Sequence, residues 1–289
     1  MLAVPRPLLA ANLQPTFSGR AYVKVGVMVA GGRQKVALWV DTDIALGADA
    51  GDVDDGYALA WLLCQTDIVI AGLSVVSGNT DAATAGHCAR ALLAAAGRPD
   101  VGVHGPDTAP QALLRLPPTV DLLAIGPLRN LGEALTLSPD QRWRQVTVVG
   151  GLHRWLPRPW LAASDLNRRR HPDSWSQVLA RQKVRQCPLD QARRLRGDPA
   201  LLHRLAQQPG LGAHLAAHSQ RWLRSAWLRH GMPSFPLWDL TAAMWALDRL
   251  PGARSINGRL VDFDVRAAQR RFLDDLLAPR VTETIPSAG

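Results

Sequence analysis

Asp41, Asp43, Asp49, Asp52, Asp54 and Asp55 crowd into one short segment of the chain. Like charges packed this closely are costly unless a cation or hydrogen-bond donors offset them. An all-oxygen donor set suits a hard cation such as Ca²⁺ or Mg²⁺, and does not suit zinc or copper. Ahead of the acids, Val36-Ala37-Leu38-Trp39-Val40 reads as a short buried strand; behind them, Gly56-Tyr57-Ala58-Leu59-Ala60-Trp61-Leu62-Leu63 reads as an apolar helix. The carboxylates then lie at the carboxyl end of a strand, where open α/β sheets bind ligands. The plain alternative is a solvated acidic turn that caps a helix.

The elements that would position these residues alternate between strand and helix. Ile68–Val76 is a second apolar strand, ending in Ser77-Gly78-Asn79-Thr80-Asp81 ahead of an Ala-rich helix over 82–96. Val101–Gly105, Asp121–Ile125 and Gln145–Val149 are further strands, with helices predicted from about Leu131 and near Pro172. Asp198–His230 reads as helical throughout, with Trp222 and Trp227 as core or lid residues, and Thr241–Leu247 as another apolar helix. Arg259–Val265 reads as a late strand, followed by a helix through Leu277. Repeated βα units with apolar strands imply a doubly wound, mostly parallel sheet with helices on both faces. Asp43, Asn79, Ile125 and Gly150 would then collect on one edge of it. Residues 1–35, with the alternating stretch Tyr22–Val29, read as an N-terminal extension of unassigned role, and 36–289 as one α/β domain.

At 289 residues and 47% hydrophobic, the chain can bury a substantial core and is not of disordered composition. No apolar run reaches the roughly 18 residues of a membrane span, and the start Met1–Pro7 makes a poor secretory signal. Cys64, Cys88 and Cys187 lack ligand spacing and fit a reducing cytoplasm. The net charge of +9 invites a nucleic-acid partner. The basic residues are dispersed arginines, however, with Arg168-Arg169-Arg170 the single run of three, so a solvated basic surface is the simpler reading.

Taken in order, the pieces resemble the nucleoside hydrolases, the Ca²⁺-dependent N-ribohydrolases. The resemblance rests on Asp41-Thr42-Asp43 with Asp54-Asp55-Gly56, Ser77-Gly78-Asn79, Ile125-Gly126-Pro127-Leu128-Arg129-Asn130, Val149-Gly150-Gly151, Asp165-Leu166-Asn167 and Leu237-Trp238-Asp239. It implies a Ca²⁺ held by Asp43, Asp55, Asp239 and the main-chain carbonyl of Ile125. It also implies that Asp43 takes a proton from the water on that ion, that Asp54, Asn79 and Asn167 hold ribose hydroxyls, and that Asp165 sits nearer the 5′ end. The substrate would be a small nucleoside-like molecule cleaved to base and pentose; a homo-oligomer is compatible with the pattern. Cleavage of an N-glycosidic bond passes through an oxocarbenium-like sugar, which negative oxygens around the ring stabilise.

Four departures from the family pattern stand out. Ala45–Gly51 is inserted into the acidic loop, so it either bulges outward or brings Asp49 or Asp52 in as a ligand. The segment between Pro106 and Asp121 is short, which implies a less covered pocket. Trp238 stands where the family carries a proton-donating His; it cannot donate a catalytic proton from carbon but can stack on a purine, and His153 or His230 is left as a substitute donor. Leu152–Leu161 holds Arg154, Trp155, Arg158 and Trp160 and no matching Asn, a composition suited to an anion near the 5′ end. Two rivals remain: a binding relative without turnover, and a phosphatase of the haloacid dehalogenase type, whose nucleophile motif is also a strand followed by Asp-x-Asp. The latter wants Thr or Val at the position of Ala45 and a downstream Lys, for which only Lys183 is left.

Overall fold

A computed structural model describes residues 35–49, 51–152, 165–230 and 233–278. The stretch Tyr22–Val29 and the residues His153, Arg154, Trp155, Arg158 and Trp160 lie outside the described residues, as does the side chain of His230.

The first strand, β1 (Val36–Thr42), is the axis of the sheet. Its side chains alternate between the two faces, as a pleated strand requires. Leu38 and Val40 enter one apolar cluster, and Ala37 and Trp39 enter the other. It pairs in parallel with β2 (Ile68–Val75) on one side and with β4 (Asp121–Ala124) on the other. Beyond β2 lies β3 (Val103–His104); beyond β4 lie β5 (Val146–Val149), β6 (Val184–Cys187), β10 (Arg259–Asp262) and β9 (Arg254–Ile256). Every pairing in this eight-stranded sheet is parallel except that of β9 with β10, and the short β7 (Arg196–Gly197) and β8 (Phe235–Pro236) form a separate antiparallel pair. The chain builds outward from β1 through β2 to β3, then returns across β1 to lay down β4, β5 and β6. The direction of winding therefore reverses between β1 and β4, and a crevice opens there at the carboxyl ends of the strands.

Helices cover both faces. On one side are α1 (Asp54–Leu63) and α2 (Ala82–Ala95); on the other are α3 (Ala109–Leu114), α4 (Arg129–Leu137) and, after the short α5 (Leu166–Arg170), α6 (Pro172–Arg181). Then follow α7 (Leu189–Ala192), α8 (Pro199–Ala206), α9 (Leu211–His230), α10 (Trp238–Ala246) and α11 (Val265–Leu277). No helix among the described residues is long and apolar enough to cross a membrane.

The expected doubly wound, mostly parallel sheet is present, with corrections in detail. Strand β6 was not anticipated, because Val184-Arg185-Gln186-Cys187 is half polar at the position of a buried strand. The continuous helix expected over Asp198–His230 is two helices, broken at 207–210, where Gly210 adopts a φ of 66°. Helix α10 begins at Trp238 and not at Thr241, so Asp239 lies inside its first turn and Leu237 takes the cap position. Trp222 packs half-buried against the core, whereas Trp227 is 59% exposed and is no core residue.

Candidate active site

The carboxyl end of β1 delivers Asp41, Thr42 and Asp43, all buried. Asp41 points into a buried polar network: Ser74 Oγ and Asn130 Nδ2 (2.7 Å) both donate to its Oδ1. Trp39 Nε1 donates to that serine at 2.9 Å, and Asn130 also reaches the Val75 carbonyl at 3.2 Å. Burial pushes the Asp41 carboxyl up to about 7, against the lowering effect of these donors. Asp41 is therefore a fixture under the strand end and does not line the cavity.

Asp43 faces the cavity. The Asn79 amide donates to its Oδ2 at 2.6 Å. Two glycines make room for it: a Cβ at Gly78 would overlap the Asp43 carboxylate, and one at Gly126 would come within 2.8 Å of the Asp43 amide nitrogen. The Gly-Asn and Gly-Pro steps after β2 and β4 thus have a packing cause.

The inserted segment does not bulge away as one piece. Ile44, Ala45 and Leu46 are buried, and Leu46 lies against Gly56 at the start of α1, where a Cβ would meet its side chain. The tip leans on α9, with Gly47 (φ 97°) under the His218 ring and Asp49 paired outward with Arg221. Asp49 thereby leaves the site. Asp52 returns to the cavity wall, where its Oδ1 accepts from the amides of Val53 (2.6 Å) and Asp54 (3.4 Å). Burial raises its pKa to about 6.

Asp54 and Asp55 occupy the first turn of α1, and Asp239 the first turn of α10. Helix amino termini carry partial positive charge and favour such residues. Carboxylate oxygens of Asp54, Asp55 and Asp239 lie within 4.8 Å of one another. Thr42 Oγ1 and, at 3.4 Å, Asn79 Nδ2 donate to Asp55, and the Asp239 amide donates to Asp54 at 3.4 Å. Burial first, and mutual repulsion next, hold the Asp43, Asp54 and Asp239 carboxyls well above their usual range, and burial raises Asp55 to about 7. Among the described residues lining the cavity there is no Lys, Arg or His to offset them. A buried carboxylate cluster of this kind, with no basic side chain among the described lining residues, fits a hard divalent cation. The cation set expected from the sequence (Asp43, Asp55, Asp239 and the Ile125 carbonyl) and the tightest trio here share Asp55 and Asp239; Asp43 stands close enough to repel Asp239.

The cavity, about 120 Å³, is bounded by Asp43, Asp52, Asp54 and Asp239 on the acidic side. Asn79, Ile125, Asp165, Asn167 and Trp238 line it as well, so of the metal, sugar and base residues that the family resemblance implies, all except Asp55 border the same space; Asp55 is fully buried. Asn167 spends its NH₂ on the carbonyls of Ile125 (2.7 Å) and Val149 (3.3 Å), which leaves its Oδ1 as the atom it offers to a ligand. Asp165 caps α5 through the Arg168 amide (3.1 Å) and accepts from Gly151 at 2.7 Å. Sequence reasoning missed Val149, Leu166 and Leu189 in the lining; apolar residues carry no signal of such a place. It also gave no role to Asn130, although the motif that contains it was recognised. His104 stacks on Trp39, ring centroids 5.1 Å apart, as a packing residue.

Compared by sequence, the chain matches no family model and no curated protein. Compared by structure, it is similar to a plant nucleoside hydrolase with a TM-score of 0.69 at 16% identity, over 84% of this chain and 99% of that one. It is similar to the purine-preferring ribonucleoside hydrolase from Gardnerella vaginalis with a TM-score of 0.69 at 14% identity, over 83% and 98%. It is also similar to the inosine-uridine preferring nucleoside hydrolase from Bacillus anthracis with a TM-score of 0.59 at 15% identity, over 84% and 98%. The chain is a divergent representative of the nucleoside hydrolase fold.

Proposed function

We propose that the protein hydrolyses the N-glycosidic bond of a nucleoside-like N-riboside, with Ca²⁺ as its cofactor. The observation that carries this reading is the convergence of Asp54, Asp55 and Asp239 within 4.8 Å, with Asp43 beside them, at the wall of a cavity that also holds Asn79 and Asn167. Asp55 and Asp239 would hold the cation together with Asp43 and the Ile125 carbonyl. A divalent cation bound there offsets the carboxylate charge and makes a neighbouring water more acidic. Asp43, fixed by the Asn79 amide, accepts the proton that this water loses as its oxygen bonds to the anomeric carbon. Asp54, Asn79 and the Asn167 carbonyl hold ribose hydroxyls, Asp165 lies towards the 5′ end, and Trp238 faces the base. The acidic wall stabilises the positive charge that develops on the sugar.

The haloacid dehalogenase alternative loses its footing, because Asp41, the first acid of Asp-x-Asp, is locked beneath the strand by Ser74 and Asn130 and does not line the cavity. Reducing-sugar release across a nucleoside panel, with Ca²⁺ and with chelator, tests the proposal. Chelator-sensitive release is the expected result. Calcium-dependent ribose or nucleoside binding with no release from any substrate would favour a binding relative instead.

A further inference from the structure

A carboxylate that takes a proton from water must be aimed at it. The last torsion of an aspartate is broad, so the plane of the Asp43 carboxylate is set by what holds its oxygens. The Asn79 amide holds Oδ2 at 2.6 Å. That N–H belongs to the peptide group joining Gly78 to Asn79, and the carbonyl of the same peptide accepts from Arg170 Nη2 at 3.2 Å. In a trans peptide the C=O and N–H point in opposite directions. Arg170 and Asp43 therefore stand at the two ends of one amide. The turn's own hydrogen bonds use other groups: the Gly78 amide donates to the Thr80 carbonyl at 2.9 Å, and Ser77 Oγ accepts from the Ala82 amide at 3.1 Å. Gly78 also lies so close to Asp43 that a Cβ there would overlap the carboxylate. Glycine gives the backbone more freedom than any other residue, so a peptide that aims the carboxylate from this position gains from being held at its far end.

We infer that Arg170 is a positioning residue for the hydrolytic step, acting on Asp43 through the Gly78–Asn79 peptide. This rests on the glycosidase reading above. A guanidinium on the carbonyl makes that hydrogen bond charge-assisted. It also polarises the amide, so the N–H at the other end becomes a stronger donor to Asp43, as linked hydrogen bonds reinforce one another. Arg170 is exposed and is not among the described residues lining the cavity. Its charge thus supports Asp43 from behind and leaves the acidic wall to the cation and the sugar. Helix α5 supplies the footing. Asp165 caps it through the Arg168 amide, Asn167 ties it to the carbonyls of Ile125 and Val149, and Arg170, one turn further on, reaches Gly78. One short helix therefore bridges the chain just beyond β2, β4 and β5. The same helix presents Asn167 Oδ1 to the ribose and steadies the carboxylate that meets the water, which keeps the two in register. Within the run Arg168-Arg169-Arg170, this gives Arg170 a task that a solvated basic surface does not explain.

The test measures kcat and KM for sugar release by the full chain with Ca²⁺, on the nucleoside of the panel that the natural protein cleaves fastest. Arg170→Ala should lower kcat by ~10-fold, the size of effect that one lost hydrogen bond leaves behind. KM should stay within about twofold, since the interaction serves the reacting step and not the binding of substrate. The melting temperature should hold, because the side chain is exposed. Guanidinium ion, added to Arg170→Ala at a low concentration that does not denature, should restore part of kcat; a protein weakened only in its fold would not respond. An unchanged kcat would overturn the inference, as would a rise in KM that accounts for the whole loss. So would a loss of kcat that comes with a lower melting temperature and no response to guanidinium. In each of these cases the natural protein still releases sugar and the glycosidase reading stands. No sugar from any nucleoside with the natural protein would overturn both. Should Arg170→Ala fail to fold, Arg170→Gln makes the same comparison, because it removes the charge and keeps most of the side-chain stem.

Discussion

At the scale of single residues, the acidic segment resolves into distinct tasks set by which way each side chain points. Asp41 lies within β1 and Asp43 just past its end at Thr42; one braces Ser74 and Asn130 beneath the site and the other faces the cavity. Asp55→Asn and Asp239→Asn should each abolish the Ca²⁺-dependent rise in melting temperature, since both belong to either reading of the ligand set; thermal melts with and without Ca²⁺ check this. Gly78→Ala should be nearly inactive and less stable by about 2 kcal/mol, because a methyl group would sit where the Asp43 carboxylate lies. Denaturant unfolding together with the sugar assay measures both effects. Residue type and spacing pointed to Asp43, Asp54 and Asp55, and the family resemblance to Asp239. They could not announce that Asn167 spends its amide on two carbonyls, or that Asp49 turns outward to Arg221, since both depend on what the fold places alongside.

At the scale of elements, the strands legible in the sequence were those whose apolar runs are buried on both faces, β1 and β2 above all. Strand β6 escaped because Arg185 and Gln186 interrupt it; Gln186 is there to donate to the Gly150 carbonyl at 2.8 Å, a tertiary contact that leaves no periodic trace. The break between α8 and α9 was legible, since Pro209-Gly210 is a turn signal inside the helical tract and Gly210 takes a positive φ there. The inserted loop is divided: its first part belongs to the core and its tip to the surface. Leu46→Ala should therefore cost about 3 kcal/mol, whereas Asp49→Ala should leave the melting temperature unchanged, its ion pair being exposed on both sides. Equal effects from the two would mean that the loop does not pack as one half core and one half rim.

At the scale of the whole molecule, the fold gathers several buried carboxyls at a single sheet edge and sets their charge against stability. Asp41, Asp52 and Asp55 have folded-state pKa values raised from 3.8 to about 7, 6 and 7. The native state therefore holds protons that the unfolded chain has lost, and stability is fully present below about pH 4 for these groups and drains away as pH rises towards 7. Without divalent cations the melting temperature should fall between pH 5 and pH 8. With Ca²⁺ present the fall should shrink or reverse, because the ion takes the place of the protons. A chelated protein that melts higher at pH 8 than at pH 5 would contradict this.

The hydrogen bond from the Asp239 amide to Asp54 joins residues 185 positions apart. Nearly the whole sheet must be threaded before the last acid can meet the first ones. Contacts of such separation are slow to form, since loop closure must be met before they return any energy. A cation that needs both ends has little to hold in the early collapsed chain. Calcium should accordingly act as a late clasp: in stopped-flow denaturant experiments it should slow unfolding and leave the refolding rate almost unchanged.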